Sequence, residues 1–227
     1  MTTPDQPIAL KVCGMRHTDN IEALVEQVQP DYMGLIFNEK SPRHAEQIAD
    51  AEYLRSLKGP KKTGVFVNAD SDYVERQIER FGLDALQLHG QESPEYCERF
   101  AKQDLEIIKV FSVGNGFDFG RLAPYEEIVD YFLFDTKGKQ PGGNGVVFNW
   151  EILEDYPSDT PFFLSGGISL EDKDRFAERL FPQLYAIDVN SRFEIEPGRK
   201  DIEQLAILKQ YLDNTAFNNP TTQPSNK

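Results

Sequence analysis

Eight short β-rich runs alternate with helical patterns along the chain, at a spacing of about 25 residues. Strict β/α alternation argues for a parallel sheet. Eight such units in roughly 200–250 residues match the closed α/β architecture of the (β/α)8 TIM barrel. The rival is an open, doubly wound sheet, and against it no GxGxxG occupies the first βα turn. The sequence therefore predicts a single (β/α)8 barrel over residues 1–213. A disordered tail over 214–227, rich in Asn, Thr, Pro and Ser, follows it.

The first predicted strand is Ile8–Cys13, and Asn20–Gln29 follows with Ile21, Leu24, Val25 and Val28 at helical spacing. Tyr32–Phe37 is the second strand. Thr63–Asn68 is the third, followed by Asp72–Phe81 with Tyr73, Val74, Gln77 and Ile78 on one helical face. After the fourth strand, Ala85–His89, Cys97 falls within SPEYCERF, where it reads as a packed, inert thiol. Glu106–Phe111 is the fifth strand, and the helix expected after it, Asn115–Glu127, is broken by Pro124. Tyr131–Asp135 leads into a short sixth helical segment. Phe162–Ser165 precedes Ser169–Leu180, which opens with a Ser cap and acidic residues in its first turn, as a helix N-terminus favours. Tyr185–Val189 is the eighth strand, and Asp201–Leu212 closes the series with Ile202, Leu205, Ala206, Leu208 and Leu212.

Lys and Arg total 24 and Asp and Glu 38, giving a net charge of −14 and a pI of about 4.7. Such a chain repels phosphate backbones at long range, so nucleic acid and anionic membranes are poor partners. An anionic substrate would need a local positive site built against this field. No apolar run approaches the roughly 20 residues of a membrane span. The segment MTTPDQP has neither the basic nor the apolar region of a secretory signal. Cys13 and Cys97 make no disulfide framework, and the expected compartment is the cytoplasm, with both thiols reduced.

In a barrel the active site lies at the C-terminal ends of the strands. Here those ends collect polar residues and glycines: KVCG, FNEKSPR, QLHG, FDT, SGG and DVNS. Alternation puts Ala9, Lys11 and Cys13 on one face of the first strand and Leu10 and Val12 on the other. The apolar pair should face the helices, which sends Lys11 and Cys13 to the barrel interior. A buried positive charge beside a thiol favours the thiolate. Asp135 ends an aromatic-rich run. There it reads equally as a general acid with a raised pKa or as a helix cap or loop anchor. Ser165-Gly166-Gly167 and Asn190-Ser191 follow the seventh and eighth strands, where barrels often cradle a phosphate with backbone N–H groups. The other reading is plain tight turns. Arg43 offers either a fork for a carboxylate or a solvated loop arginine. His89 reads as a ligand, an acid–base group or a rim residue, and His17 and His44 as surface residues. No grouping of His, Cys, Asp or Glu has zinc spacing, so no metal is expected.

Seven segments occur in order: KVCGM, GLIF with KSPR, GVFVN, LQLHG, LFDTKGKQPGGNGVVFNW, FFLSGGI and DVNSRFEIEPGRKD. Over about Ile8 to Leu212 they resemble the phosphoribosylanthranilate isomerase family of tryptophan biosynthesis. The resemblance implies an Amadori rearrangement of N-(5-phosphoribosyl)anthranilate to 1-(2-carboxyphenylamino)-1-deoxyribulose 5-phosphate, without metal or cofactor. It implies Cys13 as general base, Asp135 as general acid, Arg43 on the anthranilate carboxylate, and Gly166, Gly167, Asn190 and Ser191 on the phosphate. His89 and Asp188 would line the pocket, and Lys11 and Gly143 complete the expected substrate-binding set. The partner is then a small molecule bearing a phosphate and a carboxylate, and monomer and homodimer are both compatible with the barrel.

Two features depart from the family pattern. DVNSRFE stands where DVSSGVE is usual, so Arg192 replaces a glycine. That change either removes backbone freedom from the phosphate loop or adds a charge near the phosphate. KGKQP precedes GGNG in the loop expected to close over the ring. A different phosphosugar barrel, such as an epimerase or the indole-glycerol-phosphate synthase, would share the phosphate loops but not the Cys13–Asp135 pair. A non-catalytic anion-binding barrel is opposed by retention of both residues.

Overall fold

The computed structural model of the protein describes residues 7–46, 48, 50–136, 150–177 and 181–215. Eight parallel strands form a closed barrel: β1 (Ala9–Cys13), β2 (Tyr32–Ile36), β3 (Lys61–Phe66), β4 (Ala85–Leu88), β5 (Glu106–Val113), β6 (Tyr131–Thr136), β7 (Phe162–Ser165) and β8 (Leu184–Val189). Pairing of β8 with β1 closes the ring. Helices α1 (Thr18–Gln27), α2 (Ala51–Ser56), α3 (Ser71–Phe81) and α4 (Pro94–Ala101) follow the first four strands, and α5 (Lys173–Ala177) follows β7. A two-stranded antiparallel ribbon, β9 (Glu194–Glu196) and β10 (Arg199–Lys200), separates β8 from α6 (Ile202–Thr215).

Strand alternation sorts the core into two layers. Leu10, Val12, Leu86, Leu88, Phe132, Phe134 and Ile187 point outward into the layer packed by the helices. Ala9, Tyr32, Ala85, Ile108, Val110, Leu133, Phe163 and Ala186 fill the barrel interior. Toward the C-terminal ends the interior turns polar, with Lys11, Thr63, Gln87 and Asp188 buried.

At the opposite face the strands are joined in pairs by a repeated device. Asp31, Asp84 and Asp130 immediately precede β2, β4 and β6. Their carboxylates accept from the N–H groups of Leu10 (2.8 Å), Lys62 (2.8 Å) and Ile107 (2.7 Å) on the preceding strand. Each aspartate N–H in turn donates to the carbonyl of that same residue, at 2.9, 2.8 and 3.0 Å. Each aspartate thus fixes the start of its own strand to one residue of the strand before.

Two helices expected from the sequence differ. In place of a helix over Asn115–Glu127 the chain makes 3-10 turns at Phe119–Arg121 and Ala123–Tyr125. Gly116 and Gly120 raise the cost of helix there, and Pro124 removes a donor. The segment predicted as Ser169–Leu180 begins with a 3-10 turn, Leu170–Asp172, before α5. Ser169 opens it, with its N–H and its hydroxyl both donating to Asp172 Oδ2, at 2.9 and 3.0 Å. Residues 178–180 lie outside the described residues. So do the GGNG loop and, from position 216 on, the expected tail, while α6 itself runs to Thr215.

Asp130→Ala leaves the N–H of Ile107, in a buried residue, without its carboxylate. The expected cost is about 1–3 kcal/mol, read as a lower urea midpoint. Because Asp130 sits at the N-terminal face, kcat should be retained.

Candidate active site

The C-terminal rim encloses a cavity of about 240 Å³. Cys13 from β1, His89 after β4, Asp135 from β6, Gly166 and Gly167 after β7, and Asp188, Asn190 and Ser191 from β8 all line it. The structure therefore brings together eight of the residues singled out from the sequence. Lys11 and Arg43 are not in its wall, and Gly143 lies outside the described residues.

Lys11 is wholly buried and donates to Asp188 Oδ1 at 2.8 Å. Burial works against its ammonium, but Asp188 and Cys13 outweigh it, so its pKa is raised. Cys13 lies one alternation further along the same face, opposite Gly34 on β2. A Cβ at Gly34 would stand 2.8 Å from the Cys13 Sγ and 2.9 Å from its Cα, so only glycine leaves room for the thiol. Burial weighs against the expected thiolate. Burial pushes the Cys13 thiol up, and Asp188 adds to that, against the pull of Lys11 and Lys200. Lys11 is beside the thiol as expected, but Asp188 already claims much of its charge.

Asp135 reaches the rim on the inward face of β6, while Phe132 and Phe134 point to the helical layer. The aromatic walls expected around this carboxyl therefore lie on the other side of the strand. Its partner is His89, whose Nε2 is 3.3 Å from Asp135 Oδ2. The Gln87 amide nitrogen lies 3.2 Å from His89 Nδ1. Donation from that amide leaves Nε2 as the nitrogen that carries the proton toward Asp135.

Glu92 holds the loop bearing His89. Its buried carboxylate accepts from the N–H groups of Asn68 (2.8 Å) and Gly90 (2.9 Å) and from Lys109 Nζ (2.9 Å). A second carboxylate organises the opposite side of the rim. Glu194 receives Arg43 through Nε (2.8 Å) and Nη2 (2.6 Å), Lys200 Nζ at 2.6 Å, and the Gly198 N–H at 3.1 Å. Burial pushes the Glu194 carboxyl up, but Arg43 and Lys200 more than reverse this and hold it at about 2. The Arg43 fork predicted for a carboxylate is thus occupied by one of the protein's own. Lys200 also donates to Asn190 Oδ1 at 2.7 Å. Its backbone is tied to Asn20 on α1 by two hydrogen bonds, at 2.7 and 3.0 Å.

Glu92, Lys109, Glu194 and Lys200 were not singled out by sequence reasoning. One signal was available for Lys109: a lysine within the apolar run IIKVF must find a partner if the strand is buried. The other three sit in loops and in the short β9–β10 ribbon, where no periodicity marks them.

Gly166 and Gly167, at φ 103° and 70°, adopt backbone that other residues rarely take. These turns follow β7 and line the cavity beside the turn after β8. A barrel with a thiol and a carboxyl facing one cavity, and with such turns after its last two strands, belongs to the class that handles phosphorylated sugars. The family model for N-(5'-phosphoribosyl)anthranilate (PRA) isomerase matches residues 10–211, and the chain belongs to that family.

The N-(5'-phosphoribosyl)anthranilate isomerase of Parabacteroides distasonis is 44% identical over 209 residues, spanning 89% of this chain and 92% of the relative. That of Phocaeicola vulgatus is 42% identical over 192 residues, spanning 85% and 91%. The crystal structure of phosphoribosyl anthranilate isomerase from Thermotoga maritima has a TM-score of 0.79 at 28% identity, covering 91% of this chain and 99% of that one. A further structure of the enzyme, bound to reduced 1-(o-carboxyphenylamino)-1-deoxyribulose 5-phosphate, has a TM-score of 0.76 at 26% identity, covering 91% and 99%.

Two measurements test this geometry. Gly34→Ala forces the thiol aside, and a displacement of this kind costs about 10²-fold in kcat. The stability that Glu194 contributes should be complete above the ordinary carboxylate range and lost as pH falls toward 2. In Glu194→Gln that part of the acid-unfolding profile should flatten.

Proposed function

We propose that Cys13 and Asp135 carry the isomerisation of N-(5'-phosphoribosyl)anthranilate to 1-(2-carboxyphenylamino)-1-deoxyribulose 5-phosphate in this protein. The observation that carries the assignment is that a β1 thiol and a β6 carboxyl line one cavity together with the turns after β7 and β8. Asp135 protonates the furanose ring oxygen, and the ring opens to a Schiff base. Cys13, as thiolate, removes the proton from C2, and the resulting enamine tautomerises to the ketone. His89 supports the acid by bonding one carboxyl oxygen, which leaves the other to meet the substrate. The phosphate sits against Gly166, Gly167, Asn190 and Ser191. Arg43, held by Glu194, presents its remaining edge to the anthranilate carboxylate. The site of action is the cytoplasm, where both thiols stay reduced.

The test is turnover of the purified protein on freshly made N-(5'-phosphoribosyl)anthranilate, followed by loss of anthranilate-type fluorescence. Cys13→Ala and Asp135→Asn should each lower kcat by roughly 10²–10⁴-fold. Survival of turnover in Cys13→Ala would reject the base. Substrate binding without turnover in the unaltered protein would favour a non-catalytic anion-binding barrel.

A pH profile tests the base separately. Burial raises the Cys13 thiol, so kcat/KM should still be climbing above the ordinary thiol range. Lys200 pulls that thiol down, so Lys200→Met should move the ascending limb to higher pH.

A further inference from the structure

Three cations beside β1 and β8 already have a carboxylate. Lys11 is paired with Asp188, and Arg43 and Lys200 share Glu194. Arg192 differs. It is exposed, it lines the cavity next to Ser191, and among the described residues it has no hydrogen-bond or ion-pair partner. It is also the one lysine or arginine among the described lining residues. The chain as a whole carries −14, and the cavity wall itself holds Asp135 and Asp188. A phosphate entering this field needs a local positive charge, and the paired cations offer little of theirs.

The backbone excludes the competing consequence of a non-glycine residue here. Among the described non-glycine residues only Gln29 and Asn68 have positive φ, so position 192 does not require glycine. The turn is fixed on its far side by Phe193, which is fully buried and donates its N–H to the Asn190 carbonyl at 3.1 Å. Arg192 is thus held between a cavity-lining serine and a buried anchor.

We propose that Arg192 is a phosphate-binding residue, supplying the charge-assisted contact at the phosphate end of the cavity. This rests on placing the phosphate at the turns after β7 and β8. A guanidinium contact made equally in the bound substrate and the transition state changes KM and leaves kcat alone.

The experiment compares the unaltered enzyme with Arg192→Gln, Arg192→Lys and Gly166→Ala at low ionic strength, where screening is weak. Each is assayed on N-(5'-phosphoribosyl)anthranilate, on its dephosphorylated ribosyl analogue, and for inhibition by inorganic phosphate. Arg192→Gln should raise KM about tenfold with kcat within about twofold. It should weaken phosphate inhibition by a similar factor and leave kcat/KM on the dephosphorylated analogue unmoved, and Arg192→Lys should recover part of the loss. Unchanged KM and phosphate inhibition in Arg192→Gln, with both worsened in Gly166→Ala, would overturn the role of Arg192 alone. If neither variant moves them, the placement of the phosphate falls, and the inference with it. A loss in Arg192→Gln that is equally large on the dephosphorylated analogue would also overturn it, since the contact would then not be to phosphate.

Discussion

The barrel closes on a charge. Where β8 meets β1, the register sets Lys11 opposite Asp188, and both are buried. Taking either ion out of water alone costs several kcal/mol, so each is tolerable there only with the other. The pair therefore does more to specify the closing register than to add stability. A slip of one residue would turn Lys11 into the apolar layer under the helices and bring Leu10 inside. Once Lys11 is fixed, Cys13 must emerge two residues later on the same face, at the rim. Gly34 on the neighbouring strand then supplies the space its sulfur occupies. The position of the thiol is thus a consequence of strand alternation and one ion pair.

The rim loops have no such regular lattice to hold them, and two buried carboxylates take its place. Glu92 gathers the ends of β3 and β4 to a lysine on β5. Glu194 gathers the loop after β2 and, through Lys200 and Asn190, the turn after β8. In each case a carboxylate accepts from donors far apart in sequence. Removing it would leave several buried donors unpaired at once, which makes such hubs costly to disturb. They also explain how an acidic protein keeps cations near the cavity: most are already neutralised locally, so the field there is set by the few that are not.

Much of this is legible in the sequence. The βα period announced the barrel, and alternation along β1 placed Lys11 and Cys13 inward. The glycines after β7 marked a turn, with a phosphate cradle and a plain tight turn both open. The failures have physical causes. The fifth helix, expected to be broken by Pro124, gives way altogether to 3-10 turns because its glycines disfavour helix as well. Asp135 was given aromatic walls because its neighbours in sequence are aromatic, whereas a strand sends Phe134 to the opposite face. The ribbon β9–β10 was invisible, since three residues and two carry no periodicity. Yet Glu194 and Lys200 lie on it. Contacts between segments nearly a whole chain apart, such as Lys11 with Asp188, leave no local trace of their pairing.

The raised thiol bears on how the reaction can be ordered. A buried thiol is less often ionised, but once ionised it is the stronger base. What the site needs is a way to favour the thiolate at the moment the C2 proton must leave. Lys11 and Lys200 pull in that direction and burial and Asp188 oppose them, with burial the largest effect. In the proposed sequence, ring opening at Asp135 creates a protonated Schiff base inside the same cavity. That positive charge acidifies the C2 proton and attracts the thiolate together. In that proposed sequence the acid step prepares the base step. A thiol held mostly protonated until substrate opens is also less exposed to oxidation than a standing thiolate.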